Sequence, residues 1–260
     1  MRRFLVFISA AMLAGSVAGA AFAQGPATPS SLGLAGEQRM LSQRIAKLYS
    51  QIGLNILPVP AMTQLKLASR QFEANLSALK PLVAPSVEAS RAHERLGAEW
   101  ASLKKATSVA VSREAAQALS RQADVTLAAA ETLTLVIEDE SKSAASRVVS
   151  LAGRQRMLSQ RIAANYLLLS WGVESSAVRA NLESSVNDFS AGLSKLGSRN
   201  DNSVEISREL DEVGQQWEWL KASLSVEGAS AYPLIVAESA DAILEATDRV
   251  TLLYEQRSRP

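Results

Sequence analysis

Cysteine is absent from the 260-residue chain, and histidine occurs once, at His93. The fold therefore does not depend on disulfides, and thiolate metal sites, thiol nucleophiles and multi-histidine metal centres are closed to it. No other pair of groups suggests acid–base chemistry, so no enzyme, no cofactor and no metal site is expected. A dominant charge is missing too. Without Arg2 and Arg3, which fall in the leader described next, 25 basic residues face 26 acidic ones. That balance gives no reason to expect nucleic acid or an anionic membrane surface as a partner. Sustained period-two alternation is nowhere found, so strands are not expected. Beyond the leader, no apolar stretch is long and uncharged enough to span a bilayer.

What the chain does have begins with an address. A basic start at Arg2 and Arg3, an apolar run over residues 4–18 and the small residues Ala21 and Ala23 make up a secretory signal peptide, with cleavage expected after Ala23. The run is shorter than the ~20 residues of a spanning helix, and no cysteine follows to carry a lipid anchor. Residues 1–23 are read as the leader, and residues 24–31, rich in Pro, Ser, Thr and Gly, as a mobile lead-in. The mature protein is expected in the periplasm.

The rest of the chain is organised around one stretch, LAGEQRMLSQRIA at residues 34–46. It returns 117 residues later as LAGRQRMLSQRIA at residues 151–163, and only Glu37 against Arg154 differs. Further anchors recur at the same offset. Tyr49 matches Tyr166, Phe72 matches Phe189, Leu79 matches Leu196, Trp100 matches Trp217, and Asp124 matches Asp241. A single ungapped offset across the whole chain marks a duplicated unit.

Each unit reads as four helices. In the first, Leu34, Leu41, Ile45, Leu48 and Ile52 advance along one apolar stripe, and the helix should run to about residue 55, ahead of Pro58 and Pro60. A second helix is predicted over about residues 62–80, ended by Pro81. Ser86 suits the N-cap of a third, to about residue 106. A fourth begins near Ser112. Trp100, Trp217 and Trp219 are expected in cores, His93 on the surface, and the acidic run Glu138, Asp139 and Glu140 in solvent. The fold class is all-α: two tandem up-down four-helix bundles over residues 32–140 and 141–257.

Their junction has two readings. Residues 138–143 could turn and set the bundles side by side. They lack Gly, Pro and Asn, however, which tight turns favour, and Glu138 and Lys142 sit at a helix-supporting spacing. The sequence thus favours one continuous helix from about residue 112 to 171, with the bundles stacked end to end.

Within the motif, Gly36, Arg39 and Gln43 share a helix face, as do Gly153, Arg156 and Gln160. That face lies apart from the apolar stripe. Glycine inside a helix costs roughly 0.5–1 kcal/mol against alanine, so keeping it twice calls for a close backbone approach or a ligand on the bare main chain. The adjacent Arg offers a planar fork of donors matched to oxyanions. Bare backbone beside a fork suits a small planar anion held between two helices. A solvated face, or a motif that only pairs helices, is the competing reading, and the residues alone leave both open.

The stretch Gly-Glu-Gln-Arg-Met-Leu-Ser-Gln-Arg resembles the signature of the PilJ-type domain, the N-terminal sensor region of type IV pilus methyl-accepting chemotaxis transducers. It is also similar to the P-box of nitrate/nitrite sensor histidine kinases, with Gly, Arg, Met, Ser and a second Arg at the same spacing. The resemblance covers both units and is sharp only in the motif. It implies a periplasmic sensor bundle whose motif helices meet around nitrate or nitrite. Arg39 and Arg156 would contact the anion and Gly36 and Gly153 would allow close approach, with Gln43, Arg44, Gln160 and Arg161 in support. Such sensors carry transmembrane helices and an output module, and neither is read here. The expected partners are therefore nitrate or nitrite, a membrane-bound sensor or transporter, and a second copy of the chain in a homodimer. Stacked bundles would need a homodimer to bring motifs together, whereas side-by-side bundles could share one site within a chain. The alternative function is a structural adaptor, with no small ligand, that pairs helices with a membrane chemoreceptor or pilus component.

Overall fold

The computed structural model describes residues 30–173, 175–224 and 232–258, so the expected leader and most of the lead-in lie outside the described residues. Among these residues there are eight α-helices and no strand: α1 (Ser31–Gly53), α2 (Pro58–Val83), α3 (Val87–Thr107), α4 (Arg113–Ser141), α5 (Ala144–Ser170), α6 (Ser176–Gly197), α7 (Val204–Leu224) and α8 (Tyr232–Arg257). Serine hydroxyls start five of them. Ser30, Ser86, Ser112, Ser143 and Ser203 accept from the backbone N–H of Gly33, Ala89, Ala115, Ala145 and Ile206, each satisfying one orphan donor of a first turn. The first helix of each unit closes in the same way. Asn55 (φ 58°) and Gly172 (φ 80°) adopt the left-handed conformation at equivalent positions. The next N–H then reaches back, Ile56 to Gln51 at 2.9 Å and Val173 to Leu168 at 3.0 Å.

Helix α2 is longer than predicted at both ends. Pro58 and Pro60 sit in its first turn, where the missing N–H is no loss, and Pro81 falls in its last turn instead of ending it. The two bundle cores share a signature contact. Phe72 stacks on Trp100 with ring centroids 4.2 Å apart, and Phe189 meets Trp217 at 4.4 Å. Trp219 departs from expectation. It is 76% exposed, because the apolar face of α7 is already carried by Ile206, Leu210, Val213, Trp217 and Leu220. His93 is half-buried, with its ring Nε2 2.8 Å from the Leu76 carbonyl of α2.

The continuous helix does not form. Lys142 turns left-handed at φ 49°, and Ser143 caps α5 immediately afterwards. Side chains stand in for the missing Gly and Pro. The Ser141 hydroxyl donates to the Glu138 carbonyl at 2.6 Å and accepts from Ser143 N at 3.3 Å, local bonds that compete with helix continuation. Helix α5 therefore folds back alongside α4, and the bundles lie side by side instead of stacked. The seam between them is α1 against α5, the most extensive helix–helix contact in the protein. These two run parallel. Gly36 lies level with Gly153, and a Cβ on Gly53 would fall 1.9 Å from the Trp171 ring at the other end. An approximate twofold thus relates the units, with both copies of the motif on its axis. No helix among the described residues is long and apolar enough to cross a membrane.

Candidate functional site

At the seam each arginine reaches toward the glycines. The outer nitrogens (Nη2) of Arg39 and Arg156 both lie 3.5 Å from the point where a Cβ on Gly36 would stand. They lie 3.3 and 3.5 Å from the corresponding point on Gly153. Two guanidinium groups therefore converge on two stretches of uncovered backbone. Neither belongs to a solvated face: Arg39 is 1% exposed and Arg156 9%. The packing that buries this face is the other copy of the motif, which cannot be seen in either copy alone.

Carboxylates on the fourth helix of each unit hold the forks from outside. Arg39 Nη1 donates to Glu131 Oε2 at 2.8 Å, and Arg156 Nη1 to Asp248 Oδ1 at 2.9 Å. Glu131 and Asp248 are themselves 117 residues apart. Arg39 Nη2 also donates to the Ser150 carbonyl at 3.1 Å. Inside the seam the Nε atoms of both arginines are buried without a partner, which matters because an unmet buried donor costs about 1–3 kcal/mol. Burial pulls the Arg39 guanidinium below its ordinary value. Glu131 opposes that pull, and the neighbouring cations Arg156 and Arg154 add to it. Glu37 sits close by, accepting from Asn75 Nδ2 at 3.0 Å. Its carboxyl is raised chiefly by burial, against the pull of the Asn75 bond and of Arg156, and Asp248 raises it further.

The rest of the motif ties the bundles together. Gln43 and Gln160 donate to the carbonyls of Ala123 and Ala240, the same bond in each unit, so both face their own fourth helix and not the arginine pair. Arg44 crosses the seam to Asp241 at 2.8 Å, and Arg161 crosses it the other way to Asp124 at 3.2 Å. The predicted set therefore divides. Gly36, Arg39, Gly153 and Arg156 come together, while Arg44 and Arg161 cross-tie the bundles and Gln43 and Gln160 bind the fourth helices of their own units. The sequence reading missed Glu131, Asp248 and the fully buried Lys47, whose Nζ lies 2.6 Å from Asp241. Each carboxylate is 92 residues from its arginine. Acid matching acid at the repeat offset was the available signal. Among the described residues no group of three His, Cys, Asp or Glu is gathered to hold a metal.

A search of curated proteins and one of solved structures each returned no match. A family description, type IV pili methyl-accepting chemotaxis transducer N-terminal region, matches residues 24–127 and again 140–254. This is a sensor and signalling module, typically the periplasmic part of a membrane chemoreceptor. With a match to each unit of the duplication, the chain belongs to the PilJ family.

Proposed function

We propose that this chain is a periplasmic sensor that binds one small inorganic oxyanion, nitrate or nitrite first, between Arg39 and Arg156. The observation that carries the proposal is the convergence of two buried guanidinium groups on Gly36 and Gly153. Like charges held close in a low-dielectric seam raise each other's cost. An anion between them removes that repulsion and supplies acceptors that a carbonyl and two outlying carboxylates do not. Charge-assisted bonds of this kind contribute about 1.5–3 kcal/mol each, against ~0–1 kcal/mol for an exposed ion pair. The glycines carry no side chain toward the two guanidinium groups, which leaves bare main chain as the backing for an anion held there.

The adaptor reading needs the motif face to be free for a partner helix. In this chain that face is covered by its own second copy, which weighs against it. A signal from the anion would pass to a membrane-bound sensor or transporter through outer surfaces of the bundles. Calorimetry with nitrate and nitrite tests the reading. One anion is expected per chain, and Arg39→Ala or Arg156→Ala alone should abolish binding. If the double variant Arg39→Ala/Arg156→Ala is folded and binds nitrate like the parent, the motif is not the site.

A further inference from the structure

The one unlike pair in the repeated motif, Glu37 and Arg154, makes the two flanks of the arginine pair unequal. On one flank Arg154 donates to Glu131 of α4 at 3.0 Å and to Asp188 of α6 at 3.2 Å. Asn181 of α6 donates directly to Asp124 of α4 at 3.0 Å. The seam between α4 and α6 is bridged at two levels, and Glu131 is fixed between two cations, Arg39 and Arg154.

Across the approximate twofold, the equivalent seam between α2 and α8 lacks the Arg154 bridge. Glu37 is an acid and turns to Asn75 of α2, so it cannot join Asp248 as Arg154 joins Glu131. Gln71, equivalent to Asp188, donates to Asn75 of its own helix at 2.9 Å. Asp248 has Arg156 as its ion-pair partner and is 42% exposed, against 25% for Glu131 with two partners. Here a cleft of about 550 Å³ opens between α2 and α8 over Leu41, Leu67 and Leu244. Arg44, Arg70, Asp241, Glu245 and Asp248 stand along its walls, and Asp248 is the one whose cation, Arg156, belongs to the arginine pair.

Resting on the anion reading above, we propose that this cleft is the entrance to the arginine pair and that Asp248 is its gate. Asp248 holds Arg156 Nη1; an incoming oxyanion takes its place, and the carboxylate swings into the cleft, where water solvates it. Glu131 stays fixed, so exchange runs through one flank. The two units, alike in sequence, have different duties.

Nitrate is the probe, titrated calorimetrically into the purified chain and its variants. Asp248→Asn removes the competing charge and should bind nitrate at least roughly tenfold tighter, the equivalent of one charge-assisted bond no longer broken on binding. Glu131→Gln acts on Arg39 directly but displaces no group on that flank, so it should shift the affinity by a smaller factor than Asp248→Asn does. Ala74→Trp, at an exposed position on the cleft wall, should slow nitrate association and dissociation together, read from NMR exchange broadening, with the affinity unchanged. Ala191→Trp, at the exposed equivalent position on α6, should leave both rates as in the parent. If the parent binds nitrate but Asp248→Asn and Glu131→Gln shift the affinity equally, the gate is wrong and the anion reading stands. Parental exchange rates in Ala74→Trp would overturn the entrance. If the parent itself gives no heat with nitrate, the anion reading fails and the gate falls with it.

Discussion

Lys47 offers a quantitative test of how this seam is built. Its ammonium is fully buried, 2.6 Å from an Asp241 oxygen that Arg44 also holds at 2.8 Å. Its counterpart in the second unit is the buried Ala164, so the fold does not require a cation there. Burial lowers the Lys47 pKa from 10.5 to about 8, with Asp241 opposing the shift and Arg44 adding to it. At 1.36 kcal/mol per pKa unit, a gap of that size corresponds to about 3 kcal/mol spent on keeping the buried group charged. The sign follows from proton counting. Between pH 8 and 10.5 the unfolded chain holds a proton that the folded chain has released, so stability rises with pH through that window. Below it both states are protonated and the full cost is present. Lys47→Met keeps the volume and removes the charge, while Asp241 retains Arg44 and is not orphaned. The variant should therefore exceed the parent by about 1–3 kcal/mol at pH 7, and the difference should fade toward pH 10.5. Burial raises the phenols of Tyr49, Tyr166 and Tyr254, but they are common to both proteins and cancel in the difference. Urea unfolding followed by circular dichroism between pH 7 and 10.5 reads it directly, provided the m-values match. A difference that does not change with pH, or a variant less stable than the parent at pH 7, would refute the reasoning.

Other consequences are as direct. Gly36→Ala places its Cβ 3.5 Å from both guanidinium groups, an ordinary contact, and should keep anion binding; Gly36→Leu must displace the forks and should lose binding in the same calorimetric assay. Glu37, raised by burial and close to Arg156, should make nitrate bind more tightly as pH falls from 7 through its raised pKa, because neutralising it removes a repelling charge. Glu37→Gln should flatten that profile and bind at all pH values as the parent does when acidified. Lys142→Gly should raise stability by about 1 kcal/mol in thermal or urea unfolding, since Lys142 takes a left-handed conformation that glycine adopts without strain.

Fold class was legible because apolar spacing, serine caps and a constant repeat offset are all local or self-comparing signals. The cap at Ser86 appears as read, and the fourth helix begins next to Ser112 as expected. What misled was an absence. Residues 138–143 lack Gly and Pro, so they looked like uninterrupted helix, and the break came from Ser141 and Ser143 bonding to nearby backbone with Lys142 forced left-handed. The arginines and glycines of the candidate site stood out in the sequence because both copies of the motif carry them. Their carboxylate partners did not, since Glu131 and Asp248 are brought in by the fourth helices, and a contact across 92 residues leaves no trace in local spacing. Trp219 shows the opposite error, a large apolar residue assigned inward by its type although the helix face opposite the core was where its position put it.

The side-by-side arrangement changes what kind of site this is. A pocket needing a guanidinium from each of two motif helices would, in a chain with one copy, exist only in a dimer, and its occupancy would follow protein concentration. Here α1 and α5 are joined through one chain and packed in parallel, so both forks are always present together. Fusion also frees the halves to differ, as Glu37 differs from Arg154, Lys47 from Ala164 and Asp248 from Glu131; a symmetric dimer must carry every substitution twice. The affinity for nitrate should therefore be the same at low and high micromolar protein, with sedimentation reporting the state of the chain at each concentration. An affinity that rises with protein concentration, in step with dimer formation, would mean that a second chain completes the site and that the pairing of Arg39 with Arg156 in one chain is not the one that binds.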